Sequence, residues 1–146
     1  MEEKERKIHE MLIKPEFFDK VATGEKIYEV RTNDDRRKAM KVGDFIVIIK
    51  EPELTDWVAV EIVDKLEYPN FTTLYDTLPK KEVGFEGQTT EEIVSELRRF
   101  YTLEQEEATG VVAIKQQVVL DFELDNFDSK LSQTLNRPKG PVKRLK

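Results

Sequence analysis

The stretch Gly24-Glu25-Lys26-Ile27-Tyr28-Glu29-Val30-Arg31 sets the tightest condition on the fold, because it reads as a helix stop followed at once by a strand carrying charges of both signs. A half-buried strand ordinarily alternates apolar and polar residues. Lys26, Glu29 and Arg31 packed this closely must therefore be satisfied by one another, by solvent or by a ligand. In a regular strand from residue 26, Lys26, Tyr28 and Val30 face one way and Ile27, Glu29 and Arg31 the other. Cooperation between Lys26 and Glu29 thus demands that Lys26 still belongs to the turn, or that a bulge re-aims one of them. Two readings stay open here: a structural ion-pair network on a barrel wall, and the rim of a binding groove.

The flanking chain supplies strands and short helices. Residues 7 to 13 alternate, with His9, Met11 and Ile13 on one face, as in a first strand with one buried side. His9 is the sole imidazole, and in this setting it reads as a packed strand histidine making one ordinary hydrogen bond. Pro15 suits a first helical turn. Phe17, Phe18, Val21 and Ala22 give a packing stripe, to which no function is assigned, before Gly24 ends the helix. Residues 33 to 41 form a polar turn, with Asn33 or Asp34 as the cap and Arg36, Arg37 and Lys38 exposed. Phe45 to Ile49 is an unbroken apolar strand, and Asp56 to Leu66 alternates as a long, bent one in which Trp57 reads as core. Asn70 caps a helix burying Phe71, Leu74, Tyr75 and Leu78. A loop from Lys80 to Gln88 then leads to a helix with Ile93, Leu97 and Phe100 as its buried stripe. Thr102 to Thr109 is acidic with helical character, and Val111 to Leu120 is the last strand. Five or six short strands interrupted by short helices, with too few long apolar strands for a layered α/β sheet, fit a small closed α+β barrel with helices outside.

Composition bounds what such a domain does. At 146 residues and 38% hydrophobic, the chain supports one core. With no cysteine and a single histidine, neither a disulfide framework nor a transition-metal site is expected, and no cofactor is implied. No apolar run approaches the roughly 18 residues of a membrane span, and the charged N-terminus lacks a signal peptide's apolar core, so a cytoplasmic location without membrane partners is expected. The formal charge of -6 argues against blanket nucleic-acid affinity. Between Lys26 and Lys41, however, six basic residues (Lys26, Arg31, Arg36, Arg37, Lys38, Lys41) face three acids (Glu29, Asp34, Asp35). Residues 121 to 129 are acidic and 130 to 146 carry basic charge without an acid, so 121–146 reads as an extension appended to a domain spanning 1–120.

The series Gly24-x-Lys26-x-x-Glu29-x-Arg31, Asn33-Asp34, Arg36-Arg37 and Val42-Gly43-Asp44 resembles the ASCH domain, a relative of the PUA RNA-binding fold. His9-Glu10-Met11 with Pro15 and Phe18, Phe71 with Leu74, and Tyr101 with Gly110-Val111-Val112 extend the resemblance over about residues 6 to 120. It implies a PUA-like mixed β-barrel of five to six strands with two to three flanking helices. It also implies a groove binding RNA or a modified nucleoside or nucleotide through Lys26, Tyr28, Arg31, Asn33, Asp34, Arg36, Arg37 and Tyr101. Some small bacterial ASCH proteins are amidohydrolases acting on acetylcytidine with a lysine, a threonine three residues on and a later glutamate. Here Lys26 and Glu86 match the first and last, and Glu29 stands at the threonine position. For an enzyme of that type the resemblance implies Lys26, Glu29 and Glu86 as catalytic residues, with Glu29 positioning water, Lys26 stabilising the oxyanion and Glu86 protonating the leaving amine. Ribonuclease action and a protein-binding adaptor role are the alternatives.

Overall fold

The structure, a computed structural model, describes residues 6–120 and Phe122. Apart from Phe122, the expected extension at 121–146 lies outside the described residues.

Five strands form one sheet: β1 (Ile8–Ile13), β2 (Tyr28–Thr32), β3 (Phe45–Lys50), β4 (Trp57–Tyr68) and β5 (Val111–Val119), in the order β1-β3-β4-β5-β2. β1 runs parallel to β3 and every other neighbour pair is antiparallel. The helices are α1 (Pro15–Thr23), α2 (Asp35–Lys38), α3 (Phe71–Thr77), α4 (Thr90–Leu97) and α5 (Leu103–Thr109), with a 3-10 turn at Lys81–Val83. Asp34, Asn70, Thr89 and Thr102 cap α2, α3, α4 and α5 with side-chain oxygens on backbone N–H groups, as short polar residues do at helix starts. Among the described residues no helix is long and apolar enough to cross a membrane.

The sheet is apolar on both sides, which is why β3 reads as an unbroken apolar run. Ile46, Ile48, Val58, Val60, Val112 and Ile114 meet Phe18, Val21 and Ala22 of α1 on one face. On the other face, Val111, Ala113, Tyr28 and Val30 meet Phe71, Leu74 and Tyr75 of α3 and Ile93 of α4. Also away from the α1 core, Phe45, Val47, Ile49 and Trp57 gather around Phe122. Trp57 is thus core, packed edge-on to Phe122 at 6.2 Å between ring centroids. A register shift between Ile62 and Asp64 bends β4, in keeping with its length.

The barrel does not close. The sheet is a curled half-barrel with β1 and β2 at its two ends, and among the described residues no ladder joins them. Carbonyls of both end strands instead accept from arginines: Glu10 O from Arg36 Nη2 at 2.8 Å and Val30 O from Arg31 Nη1 at 3.0 Å. Satisfying edge acceptors with guanidinium groups rather than with another strand leaves a seam.

Candidate functional site

The seam is lined by the charged stretch. Gly24 ends α1 in the left-handed conformation at φ 87°, and its N–H bonds Val21 O. The Lys26 N–H then bonds Lys20 O at 2.9 Å, so Lys26 lies in the turn and β2 begins two residues later at Tyr28. This is the first of the two geometries that cooperation with Glu29 required. Lys26 Nζ donates to Glu29 Oε1 at 2.7 Å and to Tyr28 O at 2.7 Å, and Arg31 Nη1 pairs with Glu29 Oε2 at 2.7 Å. Glu29 is 2% exposed and Lys26 5%.

Glu29 is held ionised by the two cations beside it, Lys26 buried with it and Arg31 half-buried. Burial pushes the Glu29 carboxyl up, but the adjacent Lys26 and Arg31 outweigh it and hold the group below the usual carboxylate range. Burial lowers the Lys26 ammonium against the opposing pull of Glu29. For Arg31 the order reverses: burial acts downward and Glu29 carries the guanidinium above its ordinary value.

A cleft of about 960 Å³ opens over this triad. Phe17 and Lys20 of α1, the Gly84–Phe85 turn, Tyr75 of α3, Tyr101 and the end of β1 form part of its walls, with Glu92, Glu96 and Leu97 of α4 on the rim. Phe85 packs edge-on against both Phe17 at 5.3 Å and Tyr75 at 5.8 Å, so the aromatic wall is continuous. Among the described residues neither the Tyr75 nor the Tyr101 hydroxyl has a hydrogen-bond partner. Burial and then the Glu29 charge push the Tyr75 phenol well above its ordinary value, which keeps it a neutral donor. A second cleft of about 520 Å³ shares Arg31 and Leu12 with the first and adds Arg36, Arg37 and Glu10.

A family model described as "ASCH domain" matches residues 11–120. The chain belongs to the ASCH domain family. Solved structures similar to this ASCH domain include a hypothetical protein, PH0355, at 29% identity and a TM-score of 0.67, covering 77% of this chain and 99% of that one. The solution structure of protein PF0455 from Pyrococcus furiosus is similar at 28% identity and a TM-score of 0.58, covering 79% and 99%. An ASCH protein from Zymomonas mobilis shares the fold at 15% identity and a TM-score of 0.57, covering 97% and 90%. No curated protein matched.

The expected site residues of this ASCH domain fall into three groups. Lys26, Glu29, Arg31 and Tyr101 line the larger cleft, and Arg31, Arg36 and Arg37 the smaller. Tyr28, on the opposite face of β2 from Glu29 and Arg31, is packed with Phe71 and Tyr75 and lines neither. Asn33 is buried with its N–H on Gly110 O, and Asp34 caps α2. Glu86 is exposed; its neighbours Phe85 and Gly87 line the larger cleft while Glu86 itself does not.

Several details differ from the sequence expectation. Phe17, assigned only to packing, walls the cleft. Arg37, expected on the surface, has a side chain only 14% exposed, because α2 lies against the seam. Phe100, expected inside, is 54% exposed beneath the Lys14 ammonium at 4.4 Å, because α4 ends at Leu97, before the stripe reaches it. His9 makes the ordinary bond expected of it, to Asp44 Oδ2 at 2.9 Å. Three further contributors carried no distinct sequence signal. Tyr75 looked like any helix-stripe aromatic. Gly84 has φ +91°, and a Cβ there would stand 3.0 Å from Lys26 Cδ. Glu106 is buried, accepts from the Phe71 N–H at 2.7 Å and pairs with Arg98, tying α5 to the start of α3. Among the described residues no group of three or more metal-ligating side chains occurs.

Proposed function

We propose that this ASCH domain binds a nucleoside unit, free or as part of RNA, in the larger cleft. The observation that carries this reading is a Lys26–Glu29–Arg31 triad, buried at Lys26 and Glu29 and half-buried at Arg31, beneath a continuous Phe17–Phe85–Tyr75 aromatic wall, in a cleft of about 960 Å³. That size falls in the range of small-molecule sites. A base needs a flat apolar face to stack on and a few fixed donors and acceptors at its edge. The rings supply the first. The phenols of Tyr75 and Tyr101 and the outer nitrogens of Arg31 supply the second, because among the described residues Arg31 makes its hydrogen bonds through Nη1 alone.

The same geometry favours binding over hydrolysis. Both Glu29 oxygens are engaged by cations, and a carboxylate held low in this way is a weak base toward water. Lys26 is engaged by Tyr28 O and Glu29.

Calorimetric titration with cytidine, acetylcytidine and a short single-stranded RNA tests the reading. Saturable binding is expected, weakened up to about tenfold by Tyr75→Phe or by Tyr101→Phe through loss of one hydrogen bond, and by roughly tenfold or more by Phe85→Ala through loss of stacking. Acetylcytidine should be recovered intact. Absence of binding by all three ligands would refute the reading, and release of acetate that depends on Lys26 would replace it with the amidohydrolase one.

A further inference from the structure

The smaller cleft differs in character from the larger. Its charged lining is Arg31, Arg36 and Arg37 against the single acid Glu10, within a chain whose formal charge is -6. Evenly dispersed surface charge does not produce three guanidinium groups around one concavity. The pattern calls for an anion.

The hydrogen bonding supports this. Arg31 spends Nη1 on Glu29 and Val30 O, and Arg36 spends Nη2 on Glu10 O. Arg37 Nη1 stands 3.8 Å from Asp34, beyond hydrogen-bond length, and its Nε is buried without a partner among the described residues. Burial first, and then the charge of Arg31, lower the Arg37 guanidinium, so this cation sits where it is penalised twice. The backbone around it is nevertheless fixed: Lys65 Nζ donates to Arg37 O and to Met40 O, both at 2.7 Å, and Asp34 caps the helix. Like charges held together by their scaffold, with donors left over, describe a preformed receptor for an oxyanion.

We infer that the Arg31–Arg36–Arg37 cleft is a phosphate subsite contiguous with the nucleoside cleft, so that the ligand of this domain is a phosphorylated nucleoside or a phosphodiester-linked one. The assignment rests on the nucleoside reading for the neighbouring cleft, with Arg31 as the shared wall. A mononucleotide and RNA present the same chemistry here. They differ in whether the chain continues beyond the phosphate.

The test is titration of the full-length protein, at low salt, with inorganic phosphate, cytidine, cytidine monophosphate and a single-stranded RNA of a few nucleotides. The monophosphate should bind at least about tenfold more tightly than cytidine, as for one or more hydrogen bonds to a charged group. The advantage should shrink as salt rises. Arg36→Ala with Arg37→Ala should abolish it while leaving cytidine affinity unchanged. Arg36→Ala alone, at an exposed position, should reduce it with the fold retained, losing no more than its one hydrogen bond to Glu10 O, which guards against a folding artefact from the more buried Arg37. Tighter binding of the oligonucleotide than of the monophosphate identifies RNA as the ligand, and equal binding identifies a free nucleotide. Equal affinity for cytidine and its monophosphate, or an advantage that survives in the double variant, overturns the subsite. If cytidine fails to bind but phosphate binding depends on Arg36 and Arg37, the subsite stands and the nucleoside reading fails.

Discussion

Glu29 is the residue on which the site turns. It stands between two cations at 2.7 Å each and is almost wholly enclosed, so removing it leaves the buried Lys26 and the half-buried Arg31 without their common partner. Glu29→Ala should destabilise the fold by about 3–5 kcal/mol in urea unfolding at neutral pH, the usual consequence of breaking one side of a buried pair. The same residue predicts a pH dependence. Its carboxyl is depressed in the folded state from an ordinary 4.5, so the unfolded chain binds the proton more readily. The stability this contributes is complete above about pH 4.5 and is lost as pH falls through the lower folded value. Asp44 acts in the same direction from an ordinary 3.8: burial pushes it up, and hydrogen bonds from His9 and from the Lys41 and Lys7 N–H groups outweigh burial. Glu29→Gln should therefore flatten the acid limb of a stability-against-pH curve. An unchanged limb would mean that Glu29 is not held ionised by its neighbours.

At the scale of elements, the turns place the site. The sequence of β2 posed a definite alternative, a turn lysine or a bulge. The left-handed Gly24 selects the turn by returning the chain so that the Lys26 N–H meets Lys20 O. That much was legible because glycine and strand alternation are local signals. Tyr75 and Glu106 were not legible, since a helical stripe reports burial alone. Neither the reach of the Tyr75 ring to the cleft nor the Glu106 bond to a backbone N–H 35 residues away has a local signature. Gly84 belongs to the same class: its Lys26 contact comes from a turn distant in sequence. Adding a methyl group there meets the lysine stem at 3.0–3.1 Å and Phe17 at 3.2 Å, at a φ that favours glycine. Gly84→Ala should cost about 1–3 kcal/mol by thermal or urea unfolding and weaken nucleoside binding by displacing Lys26. Wild-type stability and affinity in that variant would mean that the turn does not position the lysine.

For the whole molecule, strand count and apolar patterning, together with the ASCH resemblance, led to the right class of fold, and closure was where the expectation failed. The curled sheet stops one strand pairing short of a barrel, and both clefts lie along the gap between β1 and β2. A site at an unclosed seam combines a rigid scaffold on two sides with side chains from α1, α2, α3 and the Gly84 turn. The sequence could not reveal this, because whether two edge strands pair depends on curvature accumulated across the entire sheet. The most direct test of the account is a cytidine titration followed by backbone amide chemical shifts. Saturable changes are expected to concentrate at Phe17, Arg31, Phe85 and Tyr101 around the seam. Changes confined to the Phe45 and Trp57 side of the sheet, or none at millimolar ligand, would contradict it.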